Sequence, residues 1–176
     1  MKMTEIADIY MAEHEGELPI LIYAHNDSTQ ESRIIRGQFR DKRVKADQAT
    51  FVNVMRLAMI LYGFNRYEFI MKPTFNYREL QMTKDVFAVG EITLTSQRTE
   101  LFEIDKGKLV PYYESMPISG FISQLLPTKA ERGLEFTPKV EKQIRLYVEN
   151  STYSLPQKVE KSESESGMDA LFAAYA

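Results

Sequence analysis

Asp47-Gln48-Ala49-Thr50-Phe51-Val52-Asn53-Val54-Met55-Arg56-Leu57-Ala58-Met59-Ile60-Leu61-Tyr62-Gly63 is the stretch on which the fold turns. Asp47 is a good N-cap, and Gly63 stands where a left-handed residue closes a helix. Between them only Asn53 and Arg56 interrupt an apolar surface that runs nearly all round. The spacing predicts a central helix from Asp47 to Tyr62, covered on most sides by sheet or other helices.

Working outward, the flanks read mainly as strands. Pro19 to His25 is apolar on both faces, so it is expected to be central. Asn26-Asp27-Ser28-Thr29-Gln30 is turn chemistry, and Arg33 to Lys42 returns as a second strand. After the helix, Arg66 to Lys72 alternates and stops at Pro73. Val86 to Thr95, Thr99 to Asp105 and Leu109 to Glu114 follow, the last two joined by the Asp105-Lys106-Gly107-Lys108 turn. Three further helices are predicted. One runs from Thr4 to about Glu15, with Thr4 as its cap. One opens at Pro117 with Ile118, Phe121, Ile122, Leu125 and Leu126 on its face. One opens at Thr137-Pro138 and ends near Asn150. The order predicts an α+β domain: a mostly antiparallel sheet of about six strands, packed by one central helix and by C-terminal helices.

The bulk composition agrees with one domain. The 176 residues are 44% apolar and 27% charged, with ten Phe, ten Tyr and nine Met to build a core. Cysteine is absent, which excludes disulfides, thiol nucleophiles and cysteine-based zinc sites, and fits a reducing compartment. No apolar run approaches the roughly 18 residues of a membrane span. The first sixteen residues lack the apolar stretch of a signal peptide, so the expected location is cytoplasmic with no membrane partner. The net charge of −3 gives no global signal for nucleic acid.

From Ser151 onward the composition changes. Residues 1–155 read as the domain, 156–167 as a flexible acidic and serine-rich linker, and 168–176 as a short apolar peptide. Within 157–167, Val159 is the only clearly apolar side chain, too little to offset ordering entropy. Beyond it, Met168, Leu171, Phe172 and Tyr175 are spaced 0, 3, 4 and 7, which places them on one face of a helix. Ser166 or Asp169 can cap that helix, which is too short to persist alone in water. Burying the four side chains gives roughly 6–12 kcal/mol, against about 2–5 kcal/mol for coupled ordering. The peptide therefore reads as a micromolar ligand for an apolar groove on a partner; the competing reading is a small helix that folds back on its own domain or swaps onto a second copy.

Met168-Asp169-Ala170-Leu171-Phe172 resembles the short peptides by which replication proteins dock on bacterial and phage sliding clamps. Met168 stands where a glutamine usually opens the bacterial version. The whole tail is similar to those of single-stranded-DNA-binding proteins, in which a polar arm ends in an aromatic anchor. The resemblance is confined to the tail, and it implies a clamp or another replication protein as partner.

Arg33, Arg36, Arg40, Lys42, Arg43 and Lys45 put six cations in thirteen residues, against the single acid Asp41. On a strand, Arg36, Gln38, Arg40 and Lys42 would face one way, with Ile35 and Phe39 behind them. Such a stripe suits phosphates, and Tyr67, Phe69, Phe75 and Tyr77 are the candidate platforms for stacked bases. The competing reading is a solvated edge strand kept from aggregating by its charge.

No constellation argues for an enzyme. His14 and His25 lack the convergent spacing of a metal site, and no metal or other cofactor is expected. Asp85 and Glu91 flank a strand in a way that resembles the acid pair of restriction-type nucleases, but Thr93 stands where those sites carry lysine. The expected function is a non-enzymatic DNA-transaction accessory protein, engaged in single-stranded nucleic-acid binding or in replication and repair. Arg33 to Lys45 would contact nucleic acid, and Met168, Asp169, Leu171, Phe172 and Tyr175 would recruit a partner. The alternatives are a protein-binding or inhibitory module that homo-oligomerises through the tail, and a metal-dependent nuclease.

Overall fold

The computed structural model describes residues 1–39, 41, 44–72, 86–113 and 120–156. Within them the chain is α+β, with one antiparallel sheet of seven strands and three α-helices. The strands are β1 (Leu21–Asn26), β2 (Glu31–Arg36), β3 (Arg66–Met71), β4 (Val86–Ile92), β5 (Gln97–Asp105), β6 (Lys108–Tyr113) and β7 (Thr152–Tyr153). They lie in the order β6-β5-β4-β3-β1-β2-β7. The helices are α1 (Met3–Glu13), α2 (Lys45–Tyr62) and α3 (Pro138–Ser151).

The pleat sorts side chains onto two faces. Ile22, Ala24, Ile35, Tyr67, Phe69, Ala88, Ile92 and Leu101 join one core, which includes Phe51, Met55, Ala58 and Met59 of α2 and Ile144 and Val148 of α3. Leu21, Ile34, Ile70, Phe87, Phe102, Leu109 and Tyr153 face the other way, into a core shared with Met3, Ile6, Ala7, Tyr10 and Met11 of α1. β1 carries buried residues on both faces, as expected of a central strand. α2 buries only a stripe. Val52, Leu57, Leu61 and Tyr62 are partly covered, and Asn53 is exposed.

Several boundaries differ from the sequence reading. α2 starts at Lys45 with Val44 as its N-cap, and Asp47 lies inside the first turn, where its carboxylate accepts from the Asp41 amide. Thr4 likewise lies within α1, whose N-cap is Lys2. β2 ends at Arg36, not Lys42, because Leu21↔Arg36 is the last pair the β1 ladder offers. There Gly37 turns against Ile20: its amide bonds the Ile20 carbonyl at 2.7 Å, and a Cβ on it would come within 3.0 Å of the Ile20 side chain. Pro117 and Ile118 lie outside the described residues, and the neighbouring Phe121–Ser123 is a 3-10 turn, not part of an α-helix. Elsewhere the sequence signals match the structure. Gly63 closes α2 at φ 69°, Thr137 accepts from the Val140 amide at the start of α3, and Lys106 and Gly107 take positive φ in the β5–β6 turn.

Two details lock the α2 face. The buried Tyr67 hydroxyl donates to the Ile122 carbonyl at 2.6 Å and accepts from the Leu125 amide at 3.3 Å. Burial pushes that phenol's pKa up, so it stays a neutral donor. The segment that follows is tied down by Arg56, which donates to the Gln124 carbonyl at 2.8 Å and pairs with Glu131. Thr128 and Glu131 bond each other reciprocally through amide and side chain, in the manner of a capping box.

Candidate functional site

The predicted basic stripe divides. Arg40, Lys42 and Arg43 lie outside the described residues, as does the whole of 157–176, including Met168, Asp169, Leu171, Phe172 and Tyr175. Lys45 is exposed at the first turn of α2. Arg33 and Arg36, an odd number of residues apart on β2, leave opposite faces of the sheet. Both nevertheless reach the corner where α3 runs into β7. Arg33 Nη1 approaches Thr152 Oγ1 at 3.4 Å, and Arg36 Nη2 donates to the Asn150 carbonyl at 3.2 Å.

A third arginine, which sequence reasoning missed, joins them. Arg145 of α3 and Arg33 both lie over the Tyr62 ring, at 5.4 and 5.0 Å from its centroid. Arg145 also bonds Glu141 one turn back at 3.0 Å, and this contact raises its pKa. Arg56, Arg66 and Arg98 each hold a carboxylate. Among the described residues Arg33 and Arg36 hold none, and Arg36 Nε is buried without a hydrogen-bond partner. The corner therefore holds two guanidinium groups, of Arg33 and Arg145, over the Tyr62 ring, with Arg36 bonded to the end of α3 and Glu141 bonded to Arg145. No local motif announces it, because Arg33, Tyr62 and Arg145 are brought together by tertiary packing of α2 and α3.

The expected stacking platforms are corrected. Tyr67 and Phe69 are fully buried, since both point from β3 into the core beneath α2. Neither can meet a base. Phe75 and Tyr77 lie outside the described residues.

Among the described residues the opposite face of the sheet is covered by α1 over only part of its length. Beyond α1 the register sets out two polar rows: Ser32, His25 and Arg66 across β2, β1 and β3, then Tyr23, Glu68, Glu91 and Arg98 across β1, β3, β4 and β5. Arg66 pairs with Asp27 at 3.0 Å and reaches Glu91 at 3.7 Å, and Arg98 bonds Glu91 at 3.1 Å. The Asn65 amide side chain and the Arg66 guanidinium hold the Asp27 carboxyl below the usual carboxylate range.

At the end of this face His25 is bonded at both ring nitrogens. Nδ1 lies 2.7 Å from Ser32 Oγ, and Nε2 lies 2.7 Å from Glu68 Oε2. His25 is buried, Ser32 is exposed, and the Tyr23 ring meets the imidazole edge-on at 4.2 Å. This constellation was also missed. The hairpin itself held the clue, because a turn over 27–30 makes Ser32 the cross-strand partner of His25. Glu68, 43 residues from His25, left no such trace.

Asp85 lies outside the described residues, and Glu91 is bonded to Arg98 and neighbours Arg66. Among the described residues no three His, Asp or Glu side chains form a metal-holding group, and no helix is long and apolar enough to cross a membrane. No protein-family model, no curated protein and no solved structure matches the chain.

Proposed function

We propose that this protein is an accessory factor of DNA transactions that touches single-stranded nucleic acid through an arginine corner and recruits a partner through residues 168–176. The observation that carries the first half is the convergence of Arg33, Arg36 and Arg145 at the β2–α3 corner, with Arg33 and Arg36 lacking a carboxylate among the described residues. A guanidinium without an internal counter-ion is the group most ready to take an external phosphate, and its planar fork suits that anion. Arg40, Lys42, Arg43 and Lys45 follow in sequence and would extend the path. The second half rests on the sequence. The stripe of Met168, Leu171, Phe172 and Tyr175 comes after a spacer with almost no apolar content. Tethering then raises the local concentration of the partner on the nucleic acid.

The test is a titration of fluorescent oligothymidylate by the full chain over a range of salt. Four phosphate contacts on a single strand give a slope of log affinity against log salt of about −3. Chains ending at Glu160 should keep this binding and lose capture by a purified sliding clamp. A salt-independent affinity would remove nucleic acid from the account. Self-association that vanishes with the tail would replace the clamp with a second copy of the chain.

A further inference from the structure

We propose that Ser32 is an activated nucleophile that accepts an acyl group from carboxylic esters at the open end of the sheet, with His25 as its base and Glu68 as the residue that positions the base. The proposal is independent of the nucleic-acid reading. It rests on the protonation pattern that the geometry imposes. An ionised carboxylate can only accept, so the 2.7 Å contact to Glu68 places a proton on His25 Nε2. In the neutral ring Nδ1 then carries the lone pair, and the 2.7 Å contact to Ser32 is a hydroxyl donating to a base. Nucleophile, base and orienting acid are thus in hydrogen-bond reach and in the required order. The three residues come from three adjacent strands, so the sheet itself holds their spacing. Burial of the imidazole and its edge contact with Tyr23 restrain the ring, while Ser32 is open to an incoming molecule.

The step balances without a co-reactant. Ser32 Oγ bonds the ester carbonyl carbon as its proton moves to His25 Nδ1. The bond from that carbon to the alcohol oxygen then breaks, and the alcohol leaves with the proton from Nδ1. The products are acyl-Ser32 and the free alcohol. Water attacking by the same route releases the acid. Aryl esters, whose leaving groups are good, ask least of additional oxyanion stabilisation and are the expected substrate class.

The experiment treats the full chain with p-nitrophenyl acetate and, separately, with a fluorophosphonate probe, and locates the adduct by peptide mass spectrometry. Ser32 should be modified at least tenfold faster than any other serine. Ser32→Ala, at an exposed site, should fold normally and lose the adduct. Glu68→Gln, which no longer fixes the Nε2–H tautomer, should label at least tenfold more slowly with an altered pH profile. Labelling of Ser32 no faster than of other serines overturns the proposal. So does a Glu68→Gln protein, folded by circular dichroism, that labels at the wild-type rate with an unchanged pH profile; His25 would then be only a satisfied cross-strand histidine.

Discussion

Replacing Tyr67 with Phe removes one oxygen atom and isolates two backbone groups. The hydroxyl donates to the Ile122 carbonyl at 2.6 Å and accepts from the Leu125 amide at 3.3 Å. Ile122 and Leu125 are 1% and 0% exposed, so water does not replace the lost partner readily. A buried polar group left unpaired costs about 1–3 kcal/mol. The Leu125 contact is long and the Ile122 contact short, so the Ile122 carbonyl dominates. The expected total is about 2 kcal/mol, without the cavity term that a larger truncation would add. For a domain of this size that corresponds to a fall in Tm of about 4–8 °C. Urea unfolding followed by circular dichroism should show a lower midpoint at an unchanged slope. A loss below about 0.5 kcal/mol would refute the reasoning, because it would mean that the segment after β6 is not held on the sheet through this hydroxyl.

Other perturbations probe different parts of the molecule. Gly90→Ala would drive a Cβ into the buried Phe69 ring and to 2.8 Å from the Arg98 carbonyl. The expected cost is about 1–3 kcal/mol in thermal or urea unfolding. Thr137→Ala removes the side chain that accepts from the Val140 amide and should destabilise α3 by about 1 kcal/mol. The Thr128 amide and the Arg56 guanidinium hold the Glu131 carboxyl below its ordinary value of 4.5. Its contribution is therefore complete above that value and is lost as pH falls through the lower folded pKa. Urea midpoints measured down an acid series should fall less steeply for Glu131→Gln than for wild type.

Much of the fold was legible because local and global signals agreed. Gly63, the Thr137-Pro138 pair and the Lys106-Gly107 turn each have a local conformational reason, and each does what its chemistry implies. The α2 helix was legible from its length, but its cap was not. Asp47 was drawn to the Asp41 amide, a contact made possible only by the turn before the helix. The sequence reading overextends β2 because alternation continues past Arg36, whereas the β1–β2 ladder ends at Leu21↔Arg36 and the chain turns at Gly37 against Ile20. The aromatic platforms failed for a related reason. Tyr67 and Phe69 alternate on β3 as exposed residues also could, and only the docking of α2 decides that their face is the inner one. The candidate sites were least legible. Arg145 and Glu68 lie far in sequence from the residues they join, and no periodicity encodes such meetings.

The arginine corner is the part of the account most exposed to a single measurement: the salt dependence of oligothymidylate binding by wild type and by the Arg33→Ala, Arg36→Ala, Arg145→Ala triple variant. The account requires weaker binding and a slope shallower by about 2, since each lost single-strand phosphate contact removes about 0.7. Equal affinities and equal slopes for the two proteins would contradict it.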